Sequence, residues 1–226
     1  MEARAAAGCA VTDRPILFSG PMVRAILAGT KTQTRRLLTD RLKRYPSATE
    51  HLDMLFRDDP KSRVRVAECG AVLVDTHGGI ASGIASSPYG VPGVRLWVRE
   101  TFATLTGNGH RTVYRADNDP PMTGPADCPV PVLDMKWTPS IFMRRAQSRL
   151  TLTVTDVRVE RLQSITEEDA RAEGIDWTLA DALAIGRGGT DTAARRYAAL
   201  WDSINADRAP WASNPWVWVV SFARVP

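Results

Sequence analysis

Apolar and polar residues change period several times along this chain, and each change marks an element. In "RPILFSGPMVRAILAGTK" a short apolar run, Ile16 to Phe18, predicts a strand, after which Met22, Val23, Ile26 and Leu27 recur at helical spacing. Ser19 or Gly20 can cap that helix, Pro21 suits its first position, and Gly29 suits a left-handed stop. Beyond Gly29 the period drops to two. Thr32, Thr34 and Arg36 alternate with Gln33 and Arg35, which predicts an extended segment. "VRLWVRETF" predicts a further strand with Val94, Leu96, Val98 and Phe102 on one face, and Glu100 shares their parity.

The longest strand is predicted in "SRLTLTVTDVRVERL". Its apolar parity holds from Leu150 to Val154 and then shifts to Val157 and Val159, the mark of a bulge or a bend. "SITEEDARAEG" predicts a short helix with Thr166 as cap, acids in the first turn and Gly174 at the stop. "DTAARRYAALWDSIN" predicts an amphipathic helix through Ala193, Tyr197, Leu200, Trp201 and Ile204, and "PWVWVVSFARV" a closing strand. Residues from about 38 to 92 are irregular, with one hairpin expected in "RVRVAECGAVLVDTHGG"; those from about 105 to 136 are rich in Gly, Pro, Asn and Asp. The pattern predicts a single α+β domain over 14–226: a small mixed β-barrel with peripheral helices and two loop-rich insertions, preceded by a flexible stretch, 1–13. It shows neither a βαβ rhythm nor an internal repeat.

Composition narrows the function classes. The formal charge of +4 permits a nucleotide or nucleic-acid partner without requiring one. Cys9, Cys69 and Cys128 stand far apart and odd in number, against a disulfide framework or a zinc site and in favour of a reducing, cytoplasmic setting. His51, His77 and His110 are not spaced as ligand pairs, and no run of apolar residues is long enough to span a membrane. "GRGGT" at 186–190 lacks the lysine of a phosphate-binding loop and a strand before it.

Three polar positions could carry chemistry. Lys31, just past a helix end, either complements the helix dipole from the surface or turns inward, where burial would supply a neutral amine. In the second case Thr34 is a hydroxyl that such an amine could activate. Glu173 falls in the last turn of its helix, where the dipole disfavours a carboxylate; pointed into a cleft it could act as acid or base. Glu100 faces inward by parity and so needs a partner, an arginine or a substrate. Among Trp97, Trp137, Trp201, Trp211, Trp216 and Trp218 most suit the core, and one or two at a cleft mouth could stack a base. Arg35, Arg36, Arg144, Arg145 and Arg149 could meet phosphate.

The blocks "PILFSGPMVRAILAGTKTQTRR", "VPGVRLWVRETF", "SRLTLTVTDVRVERLQSITEEDARAEGI" and "LWDSINADRAPWASNPWVWVVSFARV" together resemble the ASCH domain, in particular its longer phage and prophage members. The resemblance covers about half the chain and leaves out the two insertions. It implies a PUA-like β-barrel with a cleft beside the first helix and the strand after it, and an association with RNA or modified nucleotides. A subgroup of small bacterial members removes the acyl group from N4-acetylcytidine with a lysine and a threonine in a G-x-K-T-x-T segment and a glutamate after the late strand. Those positions fall on Lys31, Thr34 and Glu173 of "GTKTQT" and "ITEEDARAEG". Thr32, Arg35, Arg36, Trp97, Arg99 and Glu100 are the expected substrate contacts.

The expectation is a cofactor-free and metal-free hydrolase of N4-acylated cytidine or a related modified nucleoside, nucleotide or RNA. A non-catalytic RNA- or DNA-binding module is the alternative, and a nuclease a third possibility. In the structure Lys31, Thr34 and Glu173 should converge on one pocket, and Glu100 should be buried and bonded.

Overall fold

One long strand organises the molecule. In the computed structural model the described residues are 13–38, 87–107, 109–117, 136–175 and 192–226, together with two-residue strands at 64–65, 75–76, 79–80, 122–123 and 130–131. The elements are β1 (Arg14–Leu17), α1 (Gly20–Leu27), β2 (Gln33–Leu37), β3 (Arg95–Arg99), β4 (Phe102–Gly107), β5 (Gly109–Tyr114), β6 (Thr151–Arg161), α2 (Glu167–Ala172), α3 (Ala193–Asn205) and β7 (Trp216–Arg224). A six-stranded mixed sheet runs β1-β3-β6-β7-β2, with Val64–Arg65 added beside β6. Among the described residues only β1 and β3 pair in parallel.

The parity change in β6 is a bulge, with the register to β7 shifting between Val154 and Asp156. Its effect is to keep apolar residues from both halves on one face: Leu152, Val154, Val157 and Val159 all enter the main core with Ile16, Val98, Trp218 and Phe222. After the bulge Arg158 and Glu160 face the other way, beside Val219 and Val217 of β7. There α2 and α3 cover the sheet with a second core built on Leu162, Ala170, Tyr197 and Trp201.

Helix ends follow the local chemistry. Thr166 accepts a hydrogen bond from the Asp169 amide and Thr192 from the Arg195 amide, so both caps are made by side chains. Ser19 is the N-cap of α1 without a side-chain bond, and Pro21 sits in its first turn. Gly29 and Gly174 adopt φ of +77° and +83° at the two stops.

The sheet curls until the Arg36 guanidinium, on edge strand β2, donates to the Leu17 carbonyl on edge strand β1. No ladder joins those strands among the described residues. Val23 and Ile26 of α1 enter the main core. "VRLWVRETF" is not one strand: it breaks after Arg99, and Phe102 packs with Trp97 and Met143 instead of with Leu96 and Val98. A backbone bridge from Phe102 to Thr138 fixes that change of side. The second insertion begins with a regular hairpin, β4–β5, where loop had been expected. Most of the first insertion, with the greater part of its expected hairpin, lies outside the described residues; Asp75–Thr76 pairs with Gly79–Ile80, and Val64–Arg65 joins β6.

Gly174 supplies a stability test. A β-carbon there would lie 2.9 Å from Lys31 Cβ and 3.0 Å from Ala25 Cβ, on a backbone at positive φ. Gly174→Ala should therefore lose about 2 kcal/mol or more, from left-handed strain and overpacking together. Urea denaturation measures it; a midpoint equal to wild type would show that α2 does not end against Lys31 as described.

Candidate functional site

Three residues at alternate positions, Lys31 just before β2 and Gln33 and Arg35 on it, enter the polar core. Gln33 and Arg35 project from the face of β2 that meets α2 and α3, beside Ser221 and Val219 of β7. Lys31 precedes them at the same spacing and is joined to Glu173 by an antiparallel bridge. Thr32 locks the junction from both sides: its amide donates to the Ala172 carbonyl at 2.8 Å, and its carbonyl accepts from the Phe222 amide at 2.8 Å.

The Lys31 side chain is turned inward and 2% exposed. Its Nζ donates to the Glu173 carboxylate (Oε2, 2.8 Å) and to the Glu173 carbonyl (2.7 Å). The Phe18 ring lies 5.8 Å from the same nitrogen. Burial lowers the pKa of this amine below 10.5; Glu173 opposes the shift, while the nearby Arg36 and Arg35 reinforce it.

Glu173 is shared. Arg35 reaches its second oxygen at 3.4 Å, and its other terminal nitrogen meets Asp169 at 2.9 Å and Glu160 at 3.4 Å. Arg158 then binds Glu160 at 2.6 Å and Asp169 at 3.0 Å, and donates to Gln33 Oε1 at 3.1 Å. Lys31, Arg35 and Arg158 thus meet the carboxylates of Glu160, Asp169 and Glu173 in one network between sheet and α2, with the exposed Asp156 3.4 Å from Arg158 at its rim. Such a group holds only while paired and hydrogen-bonded, because each unpaired charge would carry a desolvation penalty of several kcal/mol. Asp169 shows the balance: burial alone would raise its pKa, yet the Arg35 and Arg158 charges bring it below 3.8.

Thr34 faces a different way. It is 2% exposed and lines a cleft of about 130 Å³ along the free edge of β2. Arg35, Arg36 and Leu37 line it from β2, Met22 from α1, and Tyr197, Leu200, Trp201, Ile204 and Asn205 from α3. Lys31 and Glu173 do not line it. No hydrogen bond joins Lys31 to Thr34, so the structure brings together two of the three expected residues directly and places the third on the adjoining surface.

The expected substrate contacts divide similarly. Arg36 lines the cleft, held by the Leu17 carbonyl and 5.3 Å from the Phe18 ring centroid. Arg35 lines it too, but its guanidinium is turned to the carboxylates. Thr32 is exposed. Trp97, Arg99 and Glu100 do not line the cleft: Trp97 packs on Phe102 and Met143, and Arg99 stacks on Trp97 at 4.6 Å. Glu100 is 1% exposed and receives two hydrogen bonds from Arg149, at 2.9 and 3.0 Å, so its parity is met by an arginine. Burial still pushes its pKa up, against Arg149. Arg149 also meets Asp117, and Arg145 meets Asp13, which turns both from the phosphate role expected of them.

Sequence reasoning passed over Arg158, Glu160 and Asp169. Their signal was present: Arg158 and Glu160 alternate with Val157 and Val159 on a strand covered on both faces. Tyr197, Trp201 and Arg208, which shares the cleft, are also spaced along one side of α3 and its continuation. Among the described residues no group of three or more His, Cys, Asp or Glu could hold a metal ion, and no helix is long and apolar enough to cross a membrane. Comparison with known proteins finds no matching family model, no matching curated protein and no matching solved structure.

Removing the network's central cation should be severe. Arg35→Met leaves carboxylates of Glu160, Asp169 and Glu173 short of a partner and should lose about 3–5 kcal/mol in chemical denaturation. Acid titration gives a second check. Because the folded pKa of Asp169 is depressed, its contribution is present above the ordinary value of 3.8 and is lost as pH falls through the folded value. Asp169→Asn should lower stability at neutral pH and flatten that part of the acid limb; an unchanged limb would mean the network does not form in solution.

Proposed function

We propose that this chain is an ASCH-type domain, its curled sheet a PUA-like barrel, and that it hydrolyses the exocyclic amide of an N4-acylated cytidine or a related modified nucleoside. The carrying observation is the Lys31 amine, buried and hydrogen-bonded to two oxygens of Glu173. A neutral amine has two hydrogens. Both are accounted for by those bonds, which leaves the lone pair as the remaining position on nitrogen. Burial shifts its pKa down from 10.5, the direction a base requires, while Glu173 opposes the shift.

In the proposed reaction Thr34 Oγ1 attacks the acyl carbonyl and its proton passes to Lys31. The carbon–nitrogen bond then breaks, the cytosine amine leaves with a proton, and the acyl group remains as an ester on Thr34. Water adds to that ester and releases the acid, with Glu173 assisting departure of the amine or positioning the water. The transfer requires Lys31 and Thr34, which are not bonded to each other here, to meet in the substrate complex. No cofactor or metal enters these steps.

A second reading is favoured by the pairing of charge around Lys31. If the lysine stays an ammonium, Lys31, Arg35 and Arg158 meet the carboxylates of Glu160, Asp169 and Glu173, with Asp156 at the rim, the site is a structural clamp, and the cleft belongs to an RNA- or DNA-binding module. One assay separates the two. Incubation with N4-acetylcytidine should yield cytidine; Lys31→Ala and Thr34→Ala should each lower kcat by about a hundredfold or more, as loss of a base or nucleophile does. Intact N4-acetylcytidine together with salt-sensitive RNA binding would favour the second reading.

The pH profile tests the role of the lysine itself. A base must be deprotonated, and its folded pKa is shifted down from 10.5, so kcat/KM should rise with pH and level off below that value. A rate that does not change between acid and strongly alkaline pH would remove Lys31 from the role of base.

A further inference from the structure

The cleft along β2 has a charge pattern that the proposed chemistry leaves unused. Arg35, Arg36 and Arg208 line it, and no carboxylate does. The charge of Arg35 is met from behind by Glu160, Asp169 and Glu173. The other two arginines have no such partner among the described residues. Arg36 is bonded to the neutral Leu17 carbonyl and lies near the Phe18 ring, while its Nε is buried without any hydrogen-bond partner. Arg208, just beyond α3, donates to the side-chain oxygen of Asn205 at 3.3 Å. One cation thus stands on the β2 side of the cleft and one on the α3 side, with Met22, Leu200 and Ile204 as apolar lining. Guanidinium forks suit phosphate, and a cleft with low-dielectric walls and charges of one sign concentrates anions.

We propose that this cleft is a phosphate subsite, in which Arg36 and Arg208 hold a phosphoryl group, so that the substrate is a nucleotide, free or within a strand, rather than a neutral nucleoside. The inference deepens the proposed function by naming its substrate class, and rests on it only for the choice of cytosine as the base.

Two measurements separate the subsite from the reaction. In calorimetric titrations cytidine 5′-monophosphate should bind about tenfold or more tightly than cytidine, as loss of a charge-assisted hydrogen bond implies. The margin should shrink as salt is added. Arg208→Ala should bring the ratio close to one, and Arg208→Lys should restore part of it. A short single-stranded RNA containing cytidine distinguishes the source: a comparable gain over the nucleoside assigns the subsite to a strand phosphate, and a gain confined to the monophosphate assigns it to a terminal one.

In turnover, kcat/KM for N4-acetylcytidine 5′-monophosphate should exceed that for N4-acetylcytidine by a similar factor. If both acylated compounds stay intact while the monophosphate preference and its dependence on Arg208 hold, the hydrolase reading falls and the phosphate subsite stands. Equal affinity for monophosphate and nucleoside, or a preference untouched by Arg208→Ala, overturns the subsite whatever the turnover shows.

Discussion

The structure depends on keeping one buried set of charges paired. Lys31, Arg35 and Arg158 come from the strands and the turn before β2; Asp169 and Glu173 come from α2, and Glu160 from β6. Ion pairs of this kind contribute little net stability against an apolar filling, but breaking one is expensive. They therefore act as a condition on assembly: α2 can dock only in the register that brings Asp169 and Glu173 to their cations. The Thr32–Ala172 and Lys31–Glu173 backbone contacts hold that register, and Gly174 lets the chain turn away where a side chain would strike Lys31.

The same constraint shapes the chemistry. Burial disfavours an ammonium at position 31, and a carboxylate at 2.8 Å favours it. Arg35 tilts the contest by taking the other oxygen of Glu173, so the carboxylate is not reserved for the lysine. Thr34 lines the cleft, whereas Lys31 and Glu173 do not.

A second polar centre shows how differently a buried carboxylate can be used. Glu100 is held bidentately by Arg149, which also meets Asp117 and stacks on Tyr114 at 4.0 Å. Both of its oxygens are occupied by one fork, and it does not line the cleft. It fastens the break between β3 and β4 to the segment entering β6.

Local pattern alone determined much of this molecule. Period-two and helical spacing located β2, β6, β7, α1, α2 and α3, and the parity change in β6 announced its bulge, because those signals arise within a few residues. The caps at Thr166 and the stops at Gly29 and Gly174 were legible for the same reason. Lys31, Thr34 and Glu173 stood out as polar residues in unusual places. Tertiary structure decided what lies many residues apart: that the sheet curls until Arg36 of β2 meets Leu17 of β1, that Phe102 changes sides, that Arg35 turns to carboxylates rather than to the cleft, and that Arg36 and Arg208 face one space. The inward turn of Lys31 was likewise not fixed by its neighbours. A lysine after a helix is at home in water, and only a carboxylate and a carbonyl 142 positions away make its burial tolerable.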